Sequence, residues 1–142
     1  MDTEYHLERF TEAQSRIYPY VKEELAAGDK QSHWMWFVFP QIKGLGFTST
    51  ANYYAIQSLD EAKAYLSHPV LGQRLLECCQ LLLQLQNKTA DEMFGFPDVL
   101  KLKSSMTLFL LASDKPVFQQ VLDKYYEGGK DDKTIKIVES LL

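Results

Sequence analysis

Cysteine is almost missing from this 142-residue sequence: there are two, Cys78 and Cys79, and they are adjacent. Neighbouring cysteines fit neither a zinc-ligand spacing nor a redox C-x-x-C, and a bridge between them would be strained. The expectation is two buried thiols on one helix. Glycine and proline are also scarce, at seven and five residues, so disordered stretches and long linkers are not expected. Long apolar runs are lacking too. The leucine run within residues 81–85 is broken by Gln84, and every run is far short of a membrane span.

Basic residues are the minority, 15 against 19 acidic, for a net charge of -4. That balance argues against nucleic acid as a partner, because nonspecific binding rests on Lys and Arg neutralising phosphates. No basic run suggests a polybasic membrane anchor. The opening residues, Met1-Asp2-Thr3-Glu4-Tyr5-His6, lack the basic and apolar regions of a signal peptide, so the expected compartment is the cytoplasm. Histidine occurs three times. With no H-x-x-x-H, H-E-x-x-H or carboxylate cluster around His6, His33 or His68, no metal site is expected.

What is present is the material of a folded domain: 46% hydrophobic and 24% charged residues, in a chain long enough for one core without staples. Apolar Leu7, Phe10, Ile17, Val21 and Leu25 recur at helical spacing, predicting a helix over 5–27 that Gly28 stops and Pro19 kinks or splits. The run 34–39 is read as a short helix capped by Ser32 and ended by Pro40. Thr48, Ser49 or Thr50 caps a helix carrying Tyr53, Tyr54 and Ile56, and Ser58-Leu59-Asp60-Glu61 is a capping box for the next. His68-Pro69 opens a third, broadly apolar helix, expected to be the central one. Thr89-Ala90-Asp91-Glu92 repeats the capping box, with Gly95 as C-cap. Residues 97–112 and 117–125 and a segment from about Asp132 complete the helical reading, and no stretch alternates as strands do. The expected fold is all-α, a single globular domain over 1–142 with about seven or eight helices.

Candidate functional residues fall on two polar islands. Ser32-His33-Trp34-Met35-Trp36-Phe37-Val38-Phe39-Pro40-Gln41 holds both tryptophans and runs into Lys43-Gly44-Leu45-Gly46. A core needs only apolar volume, so the added His, Gln, Lys and paired glycines suggest a binding site. Amides near Gly44 and Gly46, at the start of a helix and beside Lys43, suit a phosphate or carboxylate. The alternative is a plain tight turn, since neither G-x-x-x-x-G-K-[ST] nor G-x-G-x-x-G is present. Trp34 and Trp36 are two apart on the proposed helix and point in different directions, so one is expected in the core and one against an aromatic ring. His33 is a candidate general acid or base. On the second island Asp98, Lys101 and Ser105 are three and four apart, giving an acid, a base and a hydroxyl on one helical face. No nucleophilic triad can be assembled: G-x-S-x-G is absent and the cysteines have no evident base.

These same strings, together with Tyr54-Ala55-Ile56, His68-Pro69-Val70-Leu71-Gly72 and Ser104-Ser105-Met106-Thr107-Leu108-Phe109, closely resemble an uncharacterised bacterial domain family often mislabelled calpastatin. The resemblance runs from about residue 10 to about residue 126. It implies a small, mainly helical cytoplasmic domain, with no established reaction to carry over. Val99 stands where relatives often have an acid, and the Thr-Ile-Pro-Pro motif of true calpastatin is absent.

The expected function is binding of a small phosphate-bearing aromatic ligand, a nucleotide or ADP-ribose-like molecule, with hydrolase or transferase activity on it as an extension. Trp34 or Trp36 would stack the ring, Lys43, Gly44 and Gly46 would hold phosphate, and Ser32, His33, Gln41, Asp98, Lys101 and Ser105 would orient polar groups. The competing expectation is a noncatalytic protein-interaction module whose exposed aromatic residues anchor a partner. A concave pocket joining the two islands favours the ligand, a flat apolar patch the partner.

Overall fold

The computed structural model describes residues 5–142; the first four, read above for a leader, lie outside the described residues. Nine helices follow in order: α1 (Glu8–Ala27), α2 (Met35–Val38), α3 (Ser49–Tyr54), α4 (Leu59–Ser67), α5 (Leu71–Gln84), α6 (Ala90–Phe94), α7 (Asp98–Ala112), α8 (Val117–Tyr126) and α9 (Asp132–Leu141). The fold of the described residues is all-α, and each of these helices answers to one read from the sequence, close to the expected total of about seven or eight. Ile56 is not helical as expected; it pairs with Ile42 in an isolated parallel bridge, the described residues' one trace of sheet pairing. None of the described helices is long and apolar enough to cross a membrane.

Local chemistry explains most boundaries. Gly28 ends α1 in the left-handed region at φ 69°, a conformation glycine takes without a Cβ penalty. Pro19 lies inside α1 without splitting it. Ser15, whose carbonyl loses its i+4 donor there, is exposed, so water can satisfy that oxygen. Thr48, Ser58 and Thr89 accept the N3 amides of α3, α4 and α6. Only the last of these three is a complete capping box: Glu92 Oε1 returns to the Thr89 amide at 2.8 Å, whereas the Glu61 carboxylate is drawn to Arg9 Nη2 at 2.7 Å. His68 sits at the expected junction, its Nδ1 accepting from the amides of Val70 and Leu71.

The central helix is α7, not the expected α5. It packs against α4, α6, α8 and α9, while α5 packs against α1, α4 and α8. The cause is visible along α7, where Val99, Leu102, Met106, Leu108 and Phe109 are buried and together cover more than one face. Its buried hydroxyls largely satisfy themselves. Ser104 Oγ and Thr107 Oγ1 donate to the carbonyls four residues back, Leu100 and Lys103, at 2.9 and 2.8 Å, the usual arrangement for hydroxyls inside a helix. Cys78 and Cys79 are free and buried on α5.

Candidate functional site

The segment between α1 and α2 is fixed from behind by a single carboxylate. Glu24, in the last turn of α1, accepts from the Gln31 amide at 2.8 Å, the Ser32 amide at 3.0 Å, Ser32 Oγ at 2.6 Å and Trp34 Nε1 at 2.9 Å. Ser32 therefore does not cap α2 as expected, because its hydroxyl is committed to Glu24; Trp34 occupies the N-cap position without a side-chain bond. Partial burial raises the Glu24 pKa, but the Ser32 and Trp34 side-chain bonds and the two amides outweigh it and hold the carboxyl below its ordinary value.

This pinning sorts the two tryptophans. Trp34 is fully buried and packs edge-on to Phe94. Trp36 is half-buried and stands at the junction of two concavities, of about 560 and about 400 Å³, each within the range of small-molecule pockets. Both hollows are lined by Trp36, Pro97 and Lys101, so they adjoin at these side chains, and we call them two lobes of one groove. The two polar islands, more than 50 residues apart in the chain, meet there.

The smaller lobe gathers Ser32, His33, Trp36, Asp98 and Lys101 from the expected set, with Lys30 and Phe96 added. Asp98 is charge-paired on both oxygens: Lys30 Nζ lies 2.8 Å from Oδ2 and Lys101 Nζ 3.4 Å from Oδ1. Lys30 also donates to the Ser32 carbonyl at 2.5 Å. Asp98 is thus an organising anion that holds two lysines at the lobe wall. His33 is exposed at its edge.

The larger lobe takes Trp36, Gln41, Gly46 and Lys101 from the expected set and adds Phe47, Leu100, Lys103 and the run Lys130-Asp131-Asp132-Lys133. The Asp131 amide donates to Thr107 Oγ1 at 2.9 Å, and Asp131 Oδ2 caps α9 through Thr134, so the α9 entrance is tied to α7 as the far wall. Four lysines face two aspartates in this lobe, a local positive excess on a chain of net charge -4. Lys101 Nζ lies 4.9 Å from the centroid of the Trp36 ring, within cation–π range. Phe47 and Phe96, at the rims of the two lobes, are 86% and 82% exposed.

Four expected residues stand apart from the groove: Trp34, in the core, and Lys43, Gly44 and Ser105. Lys43 lines neither lobe, and Gly44 borders only a small adjoining hollow with Gly46. Both glycines have packing reasons: Gly44 has φ 113°, and a Cβ on Gly46 would come within 2.8 Å of the Ala51 Cβ. Ser105 is corrected outright. It is fully buried, with an Oγ that finds no hydrogen-bond partner, and its neighbour Ser104 lines the groove instead. The described residues hold no group of three or more His, Cys, Asp or Glu placed to share a metal ion.

Residues 4–138 match a family profile described as a protein of unknown function, DUF1810. The crystal structure of the conserved hypothetical protein Rv1873 from Mycobacterium tuberculosis is 51% identical, with a TM-score of 0.94 over 96% of this chain and 98% of that one. No curated protein matches the sequence.

Proposed function

The chain belongs to the DUF1810 family, and we propose that it binds a small phosphate-bearing aromatic molecule, of the nucleotide or ADP-ribose-like class, in the two-lobed groove. One observation carries this: Trp36, with an ammonium over its ring, shares a concavity with three further lysines. An aromatic face binds a planar ring, and clustered ammoniums bind phosphate as charge-assisted donors. Gln41 and Ser104 supply neutral polar groups in the larger lobe, and Ser32 supplies one in the smaller, beside the lysine-paired carboxylate of Asp98. Hydrolysis or group transfer on the bound molecule would fall to His33, because both Asp98 oxygens already hold lysines.

A thermal-shift panel of nucleotides, nicotinamide cofactors and sugar phosphates tests the proposal. A ligand present at about 100 times its Kd stabilises by about 2.7 kcal/mol, several degrees of Tm for a chain of this size. No shift from any of them at millimolar concentration removes the reading. The second reading, a protein-interaction surface, draws on the exposed Phe47, Phe96 and Leu100, since exposed aromatics serve as binding anchors. The two part on Phe47→Ser: the ligand reading expects the nucleotide-induced shift to shrink, the partner reading expects no nucleotide-induced shift to begin with.

A further inference from the structure

The lysines of the larger lobe do not form one cluster. Lys101 and Lys103 are two apart on α7, and residues at that spacing leave a helix in nearly opposite directions. Their ring contacts show the same separation. Lys101 Nζ lies over Trp36, at 4.9 Å from the centroid, whereas Lys103 Nζ leans the other way, 6.0 Å from the centroid of Tyr126 and close to Gly129. Lys103 therefore stands at the end of the lobe formed by Lys130 and Lys133, and Lys101 at the end shared with the smaller lobe. Their ion-pair surroundings differ as well. Lys101 is partly neutralised by Asp98, while among the described residues Lys103, Lys130 and Lys133 have no carboxylate within ion-pair distance.

A single phosphate has one centre and cannot close on both ends. We propose that the groove is built for an extended anion, a phosphate chain of two or more units attached to the stacked ring, as in a nucleoside diphosphate. The first phosphate lies at Lys101 beside Trp36, and the second lies at Lys103, Lys130 and Lys133. This rests on the binding reading above and narrows its ligand class.

Isothermal titration of the intact protein with AMP, ADP, inorganic phosphate and pyrophosphate, in a low-salt buffer free of phosphate, tests it. ADP is expected to bind at least tenfold more tightly than AMP, and pyrophosphate at least tenfold more tightly than phosphate. A longer anion gains from any positive field, so the variants decide the matter. Lys103→Ala should remove the advantage of ADP while changing AMP affinity less than twofold. Lys101→Ala should weaken both nucleotides, and Lys43→Ala, outside the groove, should leave the ratio intact. All three side chains are at least partly exposed, so Tm should hold within about 2 °C and report that the variants fold. If AMP binds and ADP binds no better, or if Lys103→Ala lowers both equally, the two-phosphate inference is overturned and the binding reading survives. If neither nucleotide binds at millimolar concentration, the two-phosphate inference is overturned, and the binding reading falls with it when the rest of the thermal-shift panel is also silent.

Discussion

Replacing Glu24 by alanine removes one carboxylate and strands four donors, so it measures how far the groove depends on α1. The four bonds to Glu24 involve a charged acceptor, for which roughly 1.5–3 kcal/mol each is typical. The sum is not reached, because neighbouring bonds are not additive and the carboxylate is partly screened by solvent. The exposed Gln31 amide rehydrates. The Trp34 indole N–H does not, since the ring is fully buried, and leaving it unpaired costs about 1–3 kcal/mol. The expected loss for Glu24→Ala is about 2–4 kcal/mol, read as a lower urea midpoint at unchanged slope, with a red shift of the Trp34 fluorescence. Glu24→Gln keeps an acceptor for Trp34 and both amides and should lose about 1 kcal/mol at pH 7.

Acid titration separates charge from shape. The folded Glu24 pKa is below its ordinary value, so the fold favours the ionised form. Its contribution is fully present above the unfolded value of about 4.3 and disappears as pH falls through the lowered folded value. Glu24→Gln should therefore show a flatter loss of stability below about pH 4.3 than the parent protein. Wild-type stability in Glu24→Ala, or an acid limb in Glu24→Gln as steep as the parent's, would refute the assignment of Glu24 as the anchor of this segment.

Gly72→Ala, on α5, should destabilise by about 1–3 kcal/mol although alanine favours helix, because the added Cβ would lie 2.0 Å from the Leu66 carbonyl oxygen; chemical denaturation gives the sign. Arg9→Met should cost about 3–5 kcal/mol by stranding buried Glu61, as Arg9 bonds Glu61 and the carbonyls of Tyr5, His6, Tyr53 and Ala55, and it should leave α3 and its link to α4 protease-sensitive. Burial pushes the Cys78 thiol up to about 12 and Cys79 well above its usual value, so an aromatic disulfide reagent at pH 8 should label native protein only as fast as it opens. Rapid labelling of either thiol without denaturant would contradict that burial.

The helices were readable wherever their signals are local. Thr89 and Glu92 find each other within one turn, and Gly28 and Gly95 supply the positive φ that ends α1 and α6. The same kinds of signal misled where a distant residue competed. Ser32 caps nothing because Glu24 claims its hydroxyl, and the Glu61 carboxylate does not return to the Ser58 amide because Oε2 is taken by the buried Arg9 guanidinium and Oε1 by the Gln57 amide. Arg9 and Glu61 are 52 residues apart, and nothing in their spacing announces the pair. The prominence of α7 was concealed by its composition: serines, a threonine and two lysines interrupt its apolar residues, yet the hydroxyls of Ser104 and Thr107 turn back on their own helix and let residues 104–109 be buried.

The groove divides along the same line. Residues 32–41 were conspicuous because polar groups interrupt an aromatic run that a core would not need, and residues 98–101 because acid and base stand one turn apart. Each island supplies only one wall. The third wall, Lys130 to Lys133, reads locally as a turn and the charged first residues of a helix, and it is brought across to α7 by the packing of α9 and by the bond between the Asp131 amide and Thr107. That bond depends on Thr107 being buried and on its own back-bond to Lys103, so a residue of the core sets the position of the lysines at the rim. Helical spacing could relate Asp98 to Lys101, but the choice between Ser104 and Ser105 depends on where α9 and the residue 40–48 loop leave space. The aromatic string therefore pointed to the place, whereas much of the charge that lines it comes from a part of the chain whose sequence is ordinary.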